Sequence, residues 1–452
     1  QTTLPHLTKR LPAATKCKYD KLLVALFAQD LLPFNVINGK AFQALMQGIC
    51  PNYQMPSRQY ISSSLIPAMY EELLLVCKGR INDIQHVSIT TDTWTSRKAE
   101  SFLALTIHYV NNKFKIDTLL LQCAEITDKH TAHNLAAHLT AIVADWGLND
   151  KIAAVITDSA ANIKQAVTQY LSWPHLSCFA HTLNLIVKNS VSCSTVRNNL
   201  LQKVRVIMKH FKKSSTKHSK TVLKLIHDVP TCWNSVYYML DRFVLLGEPV
   251  KATVAILDKP LPLLSPSEWG FMHELVVILK PLEKVTKTIS GDQYVTGSSI
   301  IPMVNGLQNM YSSFLQKDFC PSTKLILQKL HKGINNRFAD FEANEILSKC
   351  TLLDSRFKHA AFKSDIALHF VKLNITRAVA CSLISNDNTS AMPILDNEDN
   401  LDDSLEMSVW SSLDQIITSQ QPNEMSASAK AEIEMKQYIE DKFLARQEDP
   451  LH

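Results

Sequence analysis

His86-Val-Ser-Ile-Thr-Thr-Asp92, running on into Thr93-Trp94-Thr95-Ser96, and Ile152-Ala-Ala-Val-Ile-Thr-Asp158, running on into Ser159-Ala160-Ala161-Asn162, decide how this chain reads. In each, a β-rich apolar run delivers a carboxylate to a strand end, where a polar or helical segment takes over. Two such strands side by side would bring two hard oxygen donors to one divalent cation, as metal-assisted phosphodiester chemistry requires. An aspartate before Ser or Thr also serves as a turn former or a helix N-cap. The surrounding sequence has to choose between these readings.

Working outward, residues 85–190 read as three strands followed by alternating helices and strands. The spacing predicts strands over 87–91, 102–110 and 114–121, the last two joined as an antiparallel hairpin by Asn111-Asn112-Lys113. A helix is expected over 131–146, with Leu135, Leu139, Ile142 and Val143 on one face and Gly147 at its end. The fully apolar run 152–157 has the character of a strand buried on both faces. A helix near 160–170, a short strand near 176–179 and a helix over 182–189 complete the order βββαβαβα, an α/β core with a mixed sheet.

Five blocks in this order resemble the hAT-superfamily transposases and the BED-type zinc-finger proteins derived from them. They are Thr90-Thr-Asp92-Thr-Trp94-Thr-Ser96, Thr157-Asp158-Ser-Ala-Ala-Asn162, Cys178-Phe-Ala-His181-Thr-Leu-Asn184-Leu185, Thr231-Cys-Trp233-Asn-Ser235 and Leu352-Leu-Asp354-Ser-Arg356-Phe357-Lys358. The resemblance implies an RNase H-like core interrupted by a large all-helical insertion. It also implies that Asp92 and Asp158 match the first two acids of an Asp-Asp-Glu site for Mg or Mn, where catalysis is retained. A divalent ion there would activate a water or a 3′-hydroxyl.

The chain departs from that pattern in three places. The family's third acid lies in a downstream Ser-Glu-Arg block, and this chain stops at Glu448-Asp-Pro450-Leu-His452. Glu432, Glu434 and Glu440 read as a solvated helix face, so the expectation is a catalytic set of Asp92 and Asp158 without its third member. The family's Arg-Trp pair is Cys232-Trp233 here, removing a basic contact, and the proline of its Leu-Asp-Pro-Arg-Phe block is Ser355.

The composition bounds the remainder. A chain of 452 residues with 46% hydrophobic content is long enough for two or three packed units. No run approaches eighteen apolar residues and no signal segment is evident, so no membrane association is expected. Ten cysteines are scattered singly and read as reduced intracellular thiols. Cys178 and His181 supply two zinc ligands where a structural site needs four, so zinc is not expected within these residues. That pair either supports the active site or DNA, as its place in the family block implies, or packs in the core. His130, His133 and His138 read as surface residues.

The strongest electrostatic signal is 197–224, with Arg197, Lys203, Arg205, Lys209, Lys212, Lys213, Lys217, Lys220 and Lys224 and no acid. This density suits salt-dependent, largely sequence-blind binding to phosphate backbones. The stripe Leu200, Val204, Ile207, Met208 and Phe211 equally suits a helix with one solvated face. With Trp233, the expected DNA contacts are Lys203, Arg205, Lys209, Lys212, Lys213, Lys217 and Lys220. The net charge of +5 permits this without deciding it.

The expected organisation is a flexible tail over 1–18, a helical N-terminal subdomain over 19–84, the core over 85–190 and an all-helical insertion over 191–380. Ser265-Pro266-Ser267-Glu268 has the spacing of a capping box opening a helix that Pro281 is expected to kink. An acidic disordered linker over 381–429 follows, holding a short amphipathic piece at 407–417. Residues 430–452 then begin the family's C-terminal dimerisation region. The functional expectation is a nuclear, transposase-derived DNA-binding protein that does not cut DNA as given, with self-association supplied from its C-terminal side. Two rivals stand beside it. One is an active transposase, the other a protein-interaction scaffold.

Overall fold

Alternation builds the sheet. Strand β1 (Val87–Thr95) buries Val87, Ile89 and Thr91 and leaves Ser88, Thr90 and Asp92 more open, the period-two signature of a half-buried strand. The structure is a computed structural model that describes residues 11–192, 195–213, 224–229, 233–255, 261–291, 294–390 and 426–451. Strands β2 (Ser101–Val110) and β3 (Ile116–Ile126) continue from β1 as antiparallel neighbours, with a bulge at Leu105/Thr106. Asn111 closes their turn: its side-chain oxygen accepts the amides of Lys113 and Lys115 at 2.8 and 3.1 Å.

Strand β4 (Ile152–Thr157) lies on the other side of β1, and β5 (His175–Ser177) pairs with it in parallel, giving the order β3-β2-β1-β4-β5. The Val87 amide donates to the Lys151 carbonyl at 2.7 Å, just where β1 and β4 begin. Both strands leave that end together, so they run parallel. Helix α5 (Ala132–Asp145) links β3 to β4, α6 (Ala161–Gln165) with a π turn links β4 to β5, and α7 (Phe179–Val191) follows β5. The expected βββαβαβα order is therefore present as an RNase H-like mixed sheet. Boundaries differ: β3 spans Ile116–Ile126 rather than 114–121, β5 is His175–Ser177, and β1 runs on to Thr95, so Asp92 sits inside a paired strand opposite Ala104 rather than at its end.

The helical insertion packs on α7. Its described elements begin with α8 (Thr195–Lys213), α9 (Trp233–Leu245), α10 (Gly247–Ala255) and α11 (Pro266–Ile289). They continue with α12 (Ile300–Leu315), α13 (Pro321–Arg337), α14 (Glu345–Leu353) and α15 (Asp365–Ser390). The capping box is formed: Ser265 Oγ accepts from Glu268 N and Glu268 Oε2 accepts from Ser265 N at 2.8 Å. The helix it opens continues through Pro281 to Ile289. Leu183, Ile186 and Val187 of α7 join one apolar cluster with Leu240, Phe243, Leu275, Leu279, Leu327 and Leu330. Phe179, the first residue of α7, stacks on Phe338 with centroids 4.9 Å apart. Gly333 of α13 permits this approach, since a Cβ there would lie 2.9 Å from Ile186 Cγ2.

Two compact units divide the chain: residues up to 87 with 141–151, and residues 88–140 with 152–452. The first holds α1 (Ala13–Gln29), α2 (Lys40–Ile49), the short α3 (Arg58–Tyr60) and α4 (Ile66–Asn82). Leu23, Phe27, Ile37 and Ile61 make its core. Residues 13–18, expected as tail, are helical instead, and Lys16 pairs with Asp20 at 2.8 Å.

In the second unit, α15 extends through residues 381–390, where the acidic composition predicts linker. The rest of that linker, 391–425 with its 407–417 piece, lies outside the described residues. By length and composition Asp365–Ile384 could cross a membrane, at a mean hydropathy of 1.3. It carries Lys372 and Arg377 in mid-span, which a bilayer disfavours. Its Val371 and Ile375 are buried with Leu352 of α14, and Met435 and Ile439 of α16 (Ala427–Glu440) pack against them.

Candidate functional site

Asp92 on β1 and Asp158, the residue after β4, come from strands that neighbour each other and run the same way. Each spends one oxygen locally. Asp92 Oδ1 accepts the Thr93 amide at 2.9 Å, and Asp158 Oδ1 accepts the Ala160 amide at 3.0 Å, an Asx turn leading into α6. The turn-forming reading of Asp158 is thus correct as far as it goes, and it leaves Oδ2 with no hydrogen bond among the described residues. Oxygen-only donors on a rigid sheet fit a hard divalent ion such as Mg or Mn. Two carboxylates are a partial set. Among the described residues no group of three or more His, Cys, Asp or Glu is placed to hold a metal ion.

The Cys178–His181 motif stands beside the second acid. Cys178 donates its backbone amide to the Thr157 carbonyl at 2.7 Å, one residue before Asp158, and opens α7 as its N-cap. Its carbonyl accepts from the Thr182 amide and hydroxyl at 2.9 and 3.0 Å. The motif therefore works through its backbone, joining the end of β4 to the start of α7. A polar brace backs the same strands: Thr157 Oγ1 meets His175 Nε2 at 2.9 Å, and Thr90 Oγ1 meets His108 Nε2 at 2.9 Å. Burial lowers the affinity of both imidazoles for a proton, and Lys164 adds to the effect at His175.

The basic stretch divides into parts. Lys203 of α8 pairs with Glu268 at 2.7 Å, and Arg205 holds Asp228 through both Nε and Nη2. The Asp228 side chain is only 1% exposed. These two cations are matched within the helical cluster and are not free for phosphate. Lys209 is exposed on the same helix, with no ion pair among the described residues. The side chains of Lys212 and Lys213, and all of Lys217 and Lys220, lie outside the described residues. Trp233 begins α9 half-buried against the helical core.

Several residues that matter here gave little sign in the sequence. Glu268 is recognisable as a cap, yet nothing local marks it as the partner of Lys203. Burial alone would raise its pKa, but the Lys203 ammonium and the Ser265 groups outweigh that and hold it below the ordinary 4.5. Asp354 and Arg356, from the last family block, make a buried two-point ion pair at 2.9 and 2.6 Å. The neighbouring Lys358 is also buried and donates to the carbonyls of Tyr438 and Asp441 at 2.6 and 2.9 Å. That block is structural: it anchors α16. Finally, Trp94 is 42% exposed and stacks on Phe102 at 5.7 Å and 20°, on the same strand face as Asp92.

This geometry coincides with known domains. The ZBED1 RNase-like domain family matches residues 90–176, and the ZBED1 RNase-like helical domain family matches 176–277. The boundary at residue 176 falls in β5, where the sheet gives way to helices. These matches, with the relatives that follow, support a hAT/BED transposase-derived protein. It is similar to the human zinc finger BED domain-containing protein 4, with 24% identity over 96% of this chain and 38% of that protein. A maize putative AC transposase shares 24% identity over 75% of this chain and 46% of its own length. A putative transcriptional regulator, tpeD, of Talaromyces stipitatus shares 23% over 63% and 39%. This chain thus spans less than half the length of these relatives.

Proposed function

We propose that this chain is a nuclear DNA-binding protein built on a transposase core and used to bind and regulate DNA. The observation that carries the reading is the placement of Asp92 and Asp158 on neighbouring parallel strands, inside the stretch that matches the RNase-like domain. The exposed Lys209 and the basic residues following it would hold the phosphate backbone, which makes affinity steeply dependent on salt. Cys232, where the family carries arginine, favours binding without cutting. Self-association through the C-terminal side belongs to the same proposal.

Asp92 and Asp158 would hold a Mg or Mn ion. When bound, that ion supplies Lewis-acid activation of a water or a 3′-hydroxyl. The chain's own contribution is positional: β1 and β4 fix the two carboxylates, and the Thr157–His175 brace and the Cys178 amide fix the end of β4.

Calorimetric titration of the full chain with Mn²⁺, alongside D92A and D158A, tests the site. Loss of Mn²⁺ binding in either variant is expected, and unchanged binding in both would remove the paired acids from the reading. Duplex binding measured across a salt series tests the DNA proposal. Absence of any salt-sensitive binding would leave the scaffold reading in its place. Metal-dependent cleavage of a DNA duplex, lost in D92A, would instead support the active-transposase reading.

A further inference from the structure

We infer that the outer face of α4 is a self-association surface, on which two copies of this chain pair their α4 helices antiparallel about a two-fold axis at Val76. The surface lies in the first compact unit, apart from the C-terminal side proposed above, and it does not depend on DNA binding.

One side of α4 is used within that unit. Ile81 is buried, and Lys78 reaches Asp145 at 3.0 Å and lies over the Trp146 ring at 5.5 Å. The other side faces solvent. Leu73 keeps 52% of its surface exposed and Val76 49%, with Tyr70 and Leu75 exposed on the two flanks. A helix ordinarily turns its apolar stripe toward a core, and a run of large apolar side chains left outside marks a contact surface.

The pattern on that face selects a second copy as its partner. At 3.6 residues per turn, Met69, Glu72, Leu73, Val76, Gly79 and Arg80 fall on one stripe, with the alternating three- and four-residue spacing of a helix-pairing seam. The stripe is complementary to itself about Val76. In an antiparallel pair centred there, Glu72 of one copy comes level with Arg80 of the other, and Leu73 with Gly79. Each contact then occurs twice, as a two-fold interface requires. Glu72 and Arg80 are both exposed, and Arg80 has no ion pair among the described residues. Glu72 meets Lys21 at 2.7 Å in a solvent-exposed pair that contributes little to the fold, so its carboxylate can serve a second cation. No atom lies within 4 Å of the place a Gly79 Cβ would take, which leaves room for Leu73 of the second copy. A parallel pair would instead set Glu72 level with Glu72 and Arg80 with Arg80, a repulsive arrangement. One helix pair is a small contact beside the roughly 1,200 Å² at which stable interfaces begin, so the dimer formed by α4 alone is weak and depends on concentration.

The test uses the full chain without DNA. Sedimentation velocity across rising protein concentration should show a reversible monomer–dimer equilibrium. E72R and R80E each set like charges level at both ends of the seam and should weaken the dimer about tenfold, and the E72R/R80E double variant should recover it. Recovery separates a charge pairing between copies from damage to the helix. V76C should yield a disulfide-linked dimer on mild oxidation, whereas the unchanged chain and E71C, an exposed position off the stripe, should not. A chain that stays monomeric overturns the inference. So does a dimer that ignores the charge reversals and fails to link through V76C, since it then forms elsewhere, as on the C-terminal side. Single variants that weaken the dimer without recovery in the double variant overturn the antiparallel register, and V76C linked within its own chain means that another segment of the chain covers the face. None of these outcomes touches the DNA-binding reading, which the salt series tests separately.

Discussion

Arg205 holds Asp228 through two nitrogens, the closest approach being 2.5 Å, and so spends its charge inside the protein. Two positions earlier in sequence, Lys203 is matched by Glu268 in the same way. A stretch with no acid of its own is partly neutralised by acids folded in from 23 and 65 residues away. Fewer cations on α8 are left unpaired than the sequence suggests, and Lys209 is one of them among the described residues.

Substitutions in that helix should separate by position. R205A strands a carboxylate that is 1% exposed, with His227 Nδ1 at 3.4 Å as partial relief, and should cost about 2–3 kcal/mol of stability. K209A should be nearly neutral for stability. In DNA binding the order reverses. Replacing Lys209, Lys212 and Lys213 by alanine should make the salt dependence shallower by about 0.9 for each phosphate no longer neutralised. Urea unfolding and a salt series of binding curves check the two halves. Equal slopes before and after the triple change would take the end of α8 out of the binding surface.

These contrasts show what the sequence carries. β4 is legible to the residue because a six-residue apolar run closed by Asp158 permits little else, and α11 is legible because its capping box is local. β1 reads as ending at Thr91, since Asp92 interrupts its apolar pattern. The ladder continues because Trp94 and Thr95 pair with Phe102 and Ser101, a partnership that no window on β1 contains. The acidic composition after residue 380 points to linker, yet the helical backbone of α15 continues to Ser390. The positions of Asp92 and Asp158 on neighbouring strands can be read from the sequence because their strands announce them. Which cations remain free cannot, since ion pairs between distant segments leave no local trace.

Gly333 tests the joint between the sheet and the helical insertion. Alanine at a helix interior gains about 1 kcal/mol over glycine from propensity. A Cβ 2.9 Å from Ile186 Cγ2 forces a shift of a buried, branched side chain, at about 1–3 kcal/mol. G333A should therefore fall between neutral and mildly destabilising. G333V adds bulk and forgoes the propensity gain, and should cost about 2–3 kcal/mol. Unfolding of the pair by denaturant checks this. A G333V protein as stable as wild type would mean that α7 and α13 are not closely packed.

The imidazoles behind the acids predict a pH response. Burial holds His108 and His175 below the ordinary histidine value of 6.5, with Lys164 contributing at His175. The unfolded chain then binds protons that the folded chain refuses, so their contribution to stability is complete above pH 6.5. It is lost as pH falls through the folded values. Histidine-selective NMR should show both rings titrating below 6.5, and melting temperature should decline over the same acid range. H108Q should flatten part of that decline. Rings titrating above 6.5 would contradict the Thr90–His108–Thr118 and Thr157–His175 braces.

Lys358 predicts which segment loosens first. Its side chain is buried at 1% exposure, lies over the Tyr438 ring at 4.5 Å and donates to two carbonyls at the end of α16. A cation at a helix C-terminus is favourable both as a donor and against the helix dipole. Replacing a buried ion together with its partners can be neutral, but here the partners are backbone carbonyls that stay in place. K358M keeps length and bulk, so packing over Tyr438 is largely preserved and the missing donors dominate. The cost should be about 2–3 kcal/mol, concentrated where the donors acted. Hydrogen exchange should accelerate over 427–440, while protection of β1, β2 and β4 is unchanged. Should α16 keep its protection in K358M, its attachment would have to come from the apolar packing of Met435 and Ile439 on Val371 and Ile375 alone.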